Sequence, residues 1–391
     1  MLNKKLLKRI DYLEKVIDIY GNQLRELEKA NRHLIEQLAN AENNLRTSLT
    51  KLETKLETKL DNLNDIGTST DKSTQDGFDY ENYKEQVQAN YAPFANSINI
   101  YQRLISHLSK NNKIQVEPMS LLMNEIIDNK KLISLRHDVD ADPEMGIYMA
   151  RALAKVGISG TFYLLHSALY YGQQIDQHFV RNPLLKKWVV EYIVSGCELG
   201  LHCDALGMST IDTKRCGINM FYQELAYIRA QGATITGMSA HNTFPINHAE
   251  NFEVFEEYML FDRTKSELDN IPCSLGSESA VEHGLVYEAN YPLKKKNIDH
   301  KKLNEFLSIT PDMRDKSWMK IYLHDNPYMN RDYDCDIWLV GKNQWVASMR
   351  KNGYEQYCEE LTFSEVLEFI DLLPEQSRSV ITLHPEYFQF T

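Results

Sequence analysis

Two aspartates separated by one residue form the part of the sequence with the clearest chemical potential. Residues 135–140 read Leu-Arg-His-Asp-Val-Asp, so the pair is Asp138 and Asp140. On an extended chain alternate side chains project to the same side. Two close carboxylates repel each other unless a cation or a proton lies between them. The pair therefore predicts a divalent-metal site in which one aspartate binds the ion and the other acts as a general base. A solvated turn is the alternative, although Asp142 alone can cap the next helix.

Three histidines could complete such a site. His202, His241 and His384 each end an apolar run that is typical of a β-strand. A neutral imidazole is a common zinc ligand, and a charged imidazole can protonate a leaving amine. We therefore predict His202 and His241 as metal ligands, with a substrate contact as the alternative for His241, and His384 as a general acid. An isolated histidine at a strand end is more often only hydrogen-bonded, so the prediction depends on these residues meeting in space.

These motifs resemble those of polysaccharide deacetylases of the NodB-homology type, carbohydrate esterase family four and its relatives. The likeness is carried by Arg-His-Asp-Val-Asp, by Glu-Leu-Gly-Leu-His at 198–202 and by Leu-His-Pro at 383–385, and it spans roughly residues 131–388. It is greatest to the subgroup found among surface-polysaccharide biosynthesis proteins. The resemblance implies a distorted (β/α) barrel that binds one divalent metal, usually zinc, and hydrolyses an N-acyl group on an amino sugar of a capsule or lipopolysaccharide.

Carried over by position, the resemblance implies a role for each matching residue. Asp138 matches the catalytic base and Asp140 the metal ligand, although the two are adjacent in the family and their roles could be exchanged here. His202 matches the first metal histidine and His384 the general acid.

The sequence departs from the family at the second metal histidine. That residue lies four positions after the first, where this chain has Leu206. His241 is the first candidate to complete the site, followed by Asp204 and Cys203. The family's Arg-x-Pro-Tyr motif is also missing, and residues 241–245 occupy its approximate place.

Further residues are predicted to line a substrate pocket. They are Arg136, Arg263, Asp325 and Leu383. Arg263 could bind a carboxylate or a phosphate, and the resemblance implies that Leu383 lines the acyl pocket. A surface ion pair or a loop cap is the alternative for Arg263 and for Asp325. The predicted substrate is an N-acylated amino sugar, either nucleotide-linked or lipid-linked, because the start of the chain has no export signal.

The elements that would position these residues alternate between strand-like and helical patterns, which predicts an α/β fold. The predicted strands are Leu132–His137, Gly160–Leu165, Cys197–His202, Thr236–His241, Met259–Arg263, Met319–His324 and Val380–His384. The predicted helices include Pro143–Val156, Pro183–Val194, Ile218–Gln231 and Phe363–Leu372. A parallel barrel places the carboxyl ends of its strands on one face, and five of the seven predicted strands end at a histidine.

A separate pattern occupies the start of the chain. Residues 5–63 carry apolar side chains in alternating steps of four and three, the spacing of a coiled coil. One seam position holds Ile10, Ile17, Leu24, Asn31, Leu38 and Leu45. A polar Asn31 in that seam favours a parallel dimer, with a trimer as the alternative. We predict an oligomerisation helix over residues 1–63, a flexible linker over 64–78 and the deacetylase-like domain over 79–391. A single helix packed on its own domain is the other interpretation.

Composition excludes several functional classes. The 391 residues carry a net charge of −12, whereas nucleic acids and anionic membranes require a basic surface. The six cysteines form no CxxC pair and are predicted to be reduced thiols. No stretch approaches the roughly 18 apolar residues that span a bilayer, so we predict a cytoplasmic protein.

Two rival functions fit parts of the sequence. A glycosyltransferase could use Asp138 and Asp140 to hold a metal on a nucleotide sugar, but such an enzyme needs a nucleotide-binding region before that motif and leaves the histidines unused. Alternatively, Leu206 would suit a catalytically degenerate fold that binds sugar or partners and is organised by the coiled coil.

Overall fold

In the computed structural model the chain divides into two units, Met1–Gly77 and Phe78–Thr391. The structure describes residues 79–390 except 123–125, 127–128, 176–177, 212–216, 243–248, 259–270, 272, 291–332 and 352–353. The predicted coiled coil and linker lie outside the described residues, as do Arg263, Asp325 and the two predicted strands that contain or precede them. Among the described residues, no helix combines the length and the apolar character needed to cross a membrane.

Across the described residues, a ten-stranded mixed sheet forms the centre of the second unit. Its strands are β2 (Ile114–Val116), β3 (Lys131–Val139), β4 (Thr161–Leu165), β7 (Glu198–Cys203), β8 (Gly237–Ala240), β9 (Tyr287–Glu288), β10 (Cys335–Gly341), β11 (Gln344–Lys351), β12 (Tyr354–Leu361) and β13 (Arg378–Leu383). The order is β12-β11-β10-β13-β3-β4-β7-β8-β9, and β2 pairs with the start of β3. All pairs are parallel except β10 with β11 and β11 with β12. Two short pairs lie outside this sheet, β1 (Asn96–Ser97) with β14 (Phe388–Gln389) and β5 (Gly172–Ile175) with β6 (His178–Arg181).

Seven α-helices accompany the sheet in the described residues. They are α1 (Tyr80–Tyr91), α2 (Ile98–Lys110), α3 (Pro143–Val156), α4 (Leu185–Val194), α5 (Ala205–Ile211), α6 (Gly217–Ala230) and α7 (Phe363–Leu372). The start of α3 shows how the sequence sets these boundaries. Asp142 accepts a hydrogen bond from the Met145 amide, Pro143 occupies the first turn, and Gly157 ends the helix with φ of 73°. Such a cap and such a glycine are ordinary helix start and stop signals, so the predicted capping role of Asp142 is confirmed.

The predicted α/β class is confirmed, and five of the seven predicted strands coincide with β3, β4, β7, β8 and β13. The antiparallel extension β10–β12 was not predicted. In the described residues the sheet remains open, with β12 and β9 at its two ends, so the strands of the predicted distorted (β/α) barrel do not close there.

The sheet is nevertheless strongly curved. Arg136 on β3 and Ser239 on β8 are separated by two intervening strands, yet their side chains form a hydrogen bond. In a flat sheet strands three positions apart would lie about 14 Å from each other, because neighbours are about 4.8 Å apart. The side chains of Arg136 and Asp138 therefore project onto a concave inner face, while the alternate residues of β3 face the helices.

Candidate active site

The end of β3 places a buried ion pair on the concave face. The Arg136 guanidinium donates from Nη2 to Oδ2 of Asp138 at 2.6 Å and from Nε to Oδ1 at 2.9 Å. Burial opposes ionisation of Asp138, but Arg136 and then His202 outweigh it and hold the pKa of Asp138 below its usual range. Asp138 therefore remains a carboxylate, and both of its oxygens are oriented by Arg136.

Arg136 is fixed in turn by residues distant in sequence. Its Nη2 also donates to the Ser239 hydroxyl, and its Nη1 donates to Oδ1 of Asn290 at 2.8 Å. The Asn290 amide group donates to Glu288, and all of these side chains are buried. Arg136 is only 3% exposed and lies behind Asp138. We predicted it as a substrate contact on a pocket surface, whereas the structure places it in the buried layer beneath that surface.

Asp140 lies one residue beyond β3 and faces two histidines. Its Oδ1 is 3.5 Å from Nε2 of His202, and its Oδ2 is 3.7 Å from Nε2 of His384. Oδ1 is inaccessible to solvent and has no hydrogen-bond partner among the described residues. A buried carboxylate oxygen without a donor is rare and calls for an explanation such as a bound ion.

His202 projects from β7 with one nitrogen occupied and one available. Its Nδ1 lies 2.9 Å from the Ser239 carbonyl oxygen. Because a carbonyl only accepts, Nδ1 carries the proton and Nε2 keeps its lone pair. That Nε2 faces Oδ1 of Asp140 and also lies 3.7 Å from Oδ2 of Asp138. Burial lowers the pKa of His202 despite both carboxylates, so the neutral form that a metal requires is favoured.

A glycine in β7 gives the concave face room for an aromatic ring. Gly200 lies two residues before His202, and a Cβ at this position would come within 2.5 Å of the Tyr163 ring. Tyr163 is paired with Gly200 in the sheet and is fully buried. The Glu-Leu-Gly-Leu-His segment thus needs a glycine for packing beneath the site.

His241 follows β8 and is associated with Asp204. Its Nδ1 lies 3.8 Å from Oδ1 of Asp204, and its ring packs edge-on against His202 at 5.2 Å between centroids. Burial alone would lower the pKa of His241, but Asp204 and Asp140 raise it to about 9. At 3.8 Å the contact with Asp204 is an ion pair and not a hydrogen bond, since Nδ1 of His241 has no hydrogen-bond partner among the described residues. The raised pKa favours the protonated ring, which would have to lose its proton before it could bind a metal. Asp204 itself is occupied, since it accepts hydrogen bonds from Ser167 and from the Gly207 amide.

The remaining predicted residues lie in the core. Leu206, at the family's second histidine position, is fully buried, as is the fallback ligand Cys203. Leu383 is also fully buried and pairs with His137 in the sheet, so the two side chains share the face of β3 that is opposite Asp138.

A metal ion would find two suitable donors in this arrangement. Ligands about 2.1 Å from a tetrahedral zinc ion lie about 3.4 Å from each other, close to the 3.5 Å between Asp140 and His202. Within the described part of the chain, no three His, Cys, Asp or Glu side chains are grouped closely enough to hold a metal. The pair thus fits two ligands of one ion, and a third donor would have to move toward it.

Sequence reasoning missed several residues of this site. Ser239, Glu288 and Asn290 come from other strands or their ends, and no local motif marked them. Glu386 is also buried, and burial followed by the charge of Asp140 raises its pKa well above the usual range. Its position two residues after His384 was the only available signal.

No protein-family model matches this chain, and no curated protein or solved structure matches it either.

Proposed function

We propose that this chain is a metal-dependent amide hydrolase that removes an N-acyl group from an amino sugar during surface-glycan assembly. One observation carries the proposal. Asp138, Asp140, His202 and His384 come from three strands that are far apart in sequence, and their side chains converge with separations of 3.5 to 3.7 Å between facing atoms.

Asp140 and His202 would hold the divalent cation, which we propose to be zinc. Oδ1 of Asp140 has no hydrogen-bond donor in the described part of the chain, and His202 offers its Nε2 from a ring that the Ser239 carbonyl holds at Nδ1. His241, whose ring would have to lose a proton on binding, is the proposed third ligand in place of the histidine that Leu206 replaces. A cation held there would polarise the amide carbonyl and lower the pKa of water toward about 7.

Asp138 is the proposed general base. Arg136 donates to both of its oxygens and holds them in one orientation, whereas Oδ1 of Asp140 has no donor within the ranges that the structure describes. This contrast favours Asp138 as base and Asp140 as ligand over the exchanged roles. As a carboxylate at neutral pH, Asp138 can accept a proton from an attacking water molecule.

His384 is the proposed general acid. It lies across Asp140 from His202 and is 18% exposed, so a substrate can reach it. A protonated imidazole at this position can donate to the departing amine nitrogen. The amine and the carboxylate product would then separate.

The finer architecture belongs to the same proposal. The concave sheet would form most of the wall of a distorted (β/α) barrel, and residues 1–63 would join two copies of the chain through a parallel coiled coil. The strong curvature between β3 and β8 supports the barrel.

A second candidate is favoured by one observation. Leu206 is fully buried in the core, so the family's second histidine position offers no donor here. A protein with this fold could bind sugar without turnover, organised by the coiled coil.

Amine release distinguishes the two candidates. The full chain would be freed of metal, reloaded with zinc and assayed with free, nucleotide-linked and lipid-linked N-acetylated amino sugars. We expect zinc-dependent release that falls by about 10²–10⁴-fold in Asp138→Asn, the range for loss of a general base. Asp371→Asn on α7, where the side chain is 47% exposed, is the matched control. Sugar binding without amine release would favour the second candidate.

A further inference from the structure

The orientation of the His384 imidazole depends on the groups packed around it. A catalytic histidine is usually held by a hydrogen bond from its second nitrogen to a carboxylate or a carbonyl. The Nδ1 of His384 is inaccessible to solvent and has no hydrogen-bond partner among the described residues. Among the described residues, its ring is therefore oriented by packing and by the 3.7 Å approach of Nε2 to Oδ2 of Asp140.

The backbone places an aromatic ring against this histidine. Residues 385–387 form a 3₁₀ turn with Pro385 in its first position, and the Tyr387 amide donates to the His384 carbonyl at 3.0 Å. In a 3₁₀ turn side chains at positions i and i+3 lie one above the other. The Tyr387 ring accordingly stacks on the His384 ring, with 5.0 Å between centroids and 29° between planes.

A second segment holds Tyr387 in turn. The Phe94 ring, just after α1, stacks with the Tyr387 ring at 5.4 Å and 18°. The buried Asn96 side chain joins the two backbones, because its Nδ2 lies 2.8 Å from the Phe94 carbonyl oxygen and 3.3 Å from that of Tyr387. Parallel pairing of β1 with β14 continues this connection through Asn96 and Phe388.

We propose that Tyr387, held by Phe94 and Asn96, is a positioning residue that sets the plane of the His384 imidazole. The inference rests on the proposed function of His384 as general acid. Residues 94–97, which precede the deacetylase-like motifs in sequence, thereby become part of the catalytic apparatus. Offset ring stacking is a directional contact, so it can replace the missing hydrogen bond as the source of orientation.

The test uses Tyr387→Leu, with Tyr387→Phe as the rescue and Phe390→Leu as the control. Phe390 is 65% exposed and touches Tyr148 instead of the site. Two measurements are made on each variant. The first is the NMR chemical shifts of the His384 ring protons in the ¹³C-histidine-labelled full chain, which are assigned by comparison with His384→Gln. The second is the kcat and KM of amine release.

We expect Tyr387→Leu to displace the His384 resonances, because the ring current of Tyr387 is lost, and to lower kcat between about tenfold and a hundredfold with KM changed less than about twofold. Tyr387→Phe and Phe390→Leu should resemble the wild type in both readouts. Unchanged His384 resonances in Tyr387→Leu would overturn the proposal. Loss of kcat in Tyr387→Phe would overturn it as well, since the phenol oxygen and not the stacked ring would then matter.

If Tyr387→Leu does not fold, Phe94→Leu is tested in its place. Phe94 is 40% exposed, so its substitution should destabilise the protein less. A smaller shift of the same His384 resonances is expected, and no shift would contradict the proposal. The NMR readout needs no substrate. A wild type that releases no amine would therefore count against the proposed function, while the His384 shifts would still decide on the role of Tyr387.

Discussion

The two faces of the curved sheet carry histidines in opposite environments. On the outer face, His137 is fully buried and satisfied at both nitrogens, with Nδ1 3.2 Å from the Thr161 carbonyl oxygen and Nε2 3.1 Å from the Tyr101 hydroxyl. On the concave face, His202 has one nitrogen bonded and the other directed at two carboxylates. The difference separates a core histidine from a functional one, since only the latter retains a lone pair that faces an unsatisfied charge.

The largest expected effect tests the concave face. His384→Gln removes the proposed general acid and should lower kcat by about 10²–10⁴-fold, equivalent to about 3–5 kcal/mol in the activation free energy. The free energy of unfolding should change little, because His384 makes no hydrogen bond with its ring among the described residues. Steady-state kinetics and urea denaturation measure the two quantities. Equal kcat in the variant and the wild type would remove His384 from the mechanism.

Loss of the ion pair between Arg136 and Asp138 should lower the free energy of unfolding more than loss of a surface ion pair. Arg136→Met leaves the buried Asp138 carboxylate without its partner and should lower the free energy of unfolding by about 3–5 kcal/mol. Chemical denaturation of the full chain measures the loss, provided that the transition of the second unit is followed. The control is Arg151→Met, whose partner Glu191 is on the surface and whose ion pair is worth less than about 1 kcal/mol. Equal losses in the two variants would refute the importance assigned to the Arg136 contact.

A substitution on the outer face of β3 should lower stability and leave catalysis almost unchanged. His137→Leu removes the hydrogen bonds of the ring to the Thr161 carbonyl and the Tyr101 hydroxyl, and losing such buried bonds costs about 1–3 kcal/mol. The Tyr101 hydroxyl keeps a longer bond to the Met149 carbonyl at 3.4 Å. We expect a lower free energy of unfolding and an almost unchanged kcat in the protein that remains folded. A strong loss of kcat in folded His137→Leu would show that the two faces are not functionally distinct.

The smallest effect is the pH dependence of that stability. Burial lowers the pKa of His137 from 6.5 to about 3. Between these values the unfolded state binds the proton more readily, so the contribution of His137 to stability is complete above pH 6.5 and is lost as the pH falls toward 3. The slope contributed by one such proton is at most about 1.4 kcal/mol per pH unit. The difference between wild type and His137→Leu, measured by denaturation from pH 7 to pH 4.5, should show a slope of this sign. A pH-independent difference would contradict it.

The sequence predicted the elements around the site better than the site's internal contacts. The runs that became β3, β4, β7, β8 and β13 are rich in apolar residues and almost entirely buried, as expected for parallel strands inside an α/β fold. Alternation along β3 also implies that His137 projects away from Arg136 and Asp138, so its core position could have been predicted. The partners of Arg136 could not, because Asn290 lies 154 residues away and only the curvature of the sheet brings the two together.

The hairpin between β10 and β11 was not predicted, although the sequence of its turn indicates it. Gly341 pairs with Gln344 across a two-residue turn, and Asn343 in that turn has φ of 51°. Asparagine tolerates this left-handed conformation and is common in such turns. The leucine at position 206 could be noted from the sequence alone. The contact between Asp204 and His241 could not, because it depends on β7 and β8 ending at the same edge of the sheet.

Metal binding tests the central claim most directly. Calorimetric titration of the metal-free full chain with zinc should give one ion per chain for the wild type and for His137→Leu. Binding should be weakened at least about a hundredfold in His202→Gln and in Asp140→Asn, since even outer-shell losses at such sites cost about 10–100-fold. Wild-type protein that binds no zinc, or binding that survives both concave-face substitutions, would contradict the account.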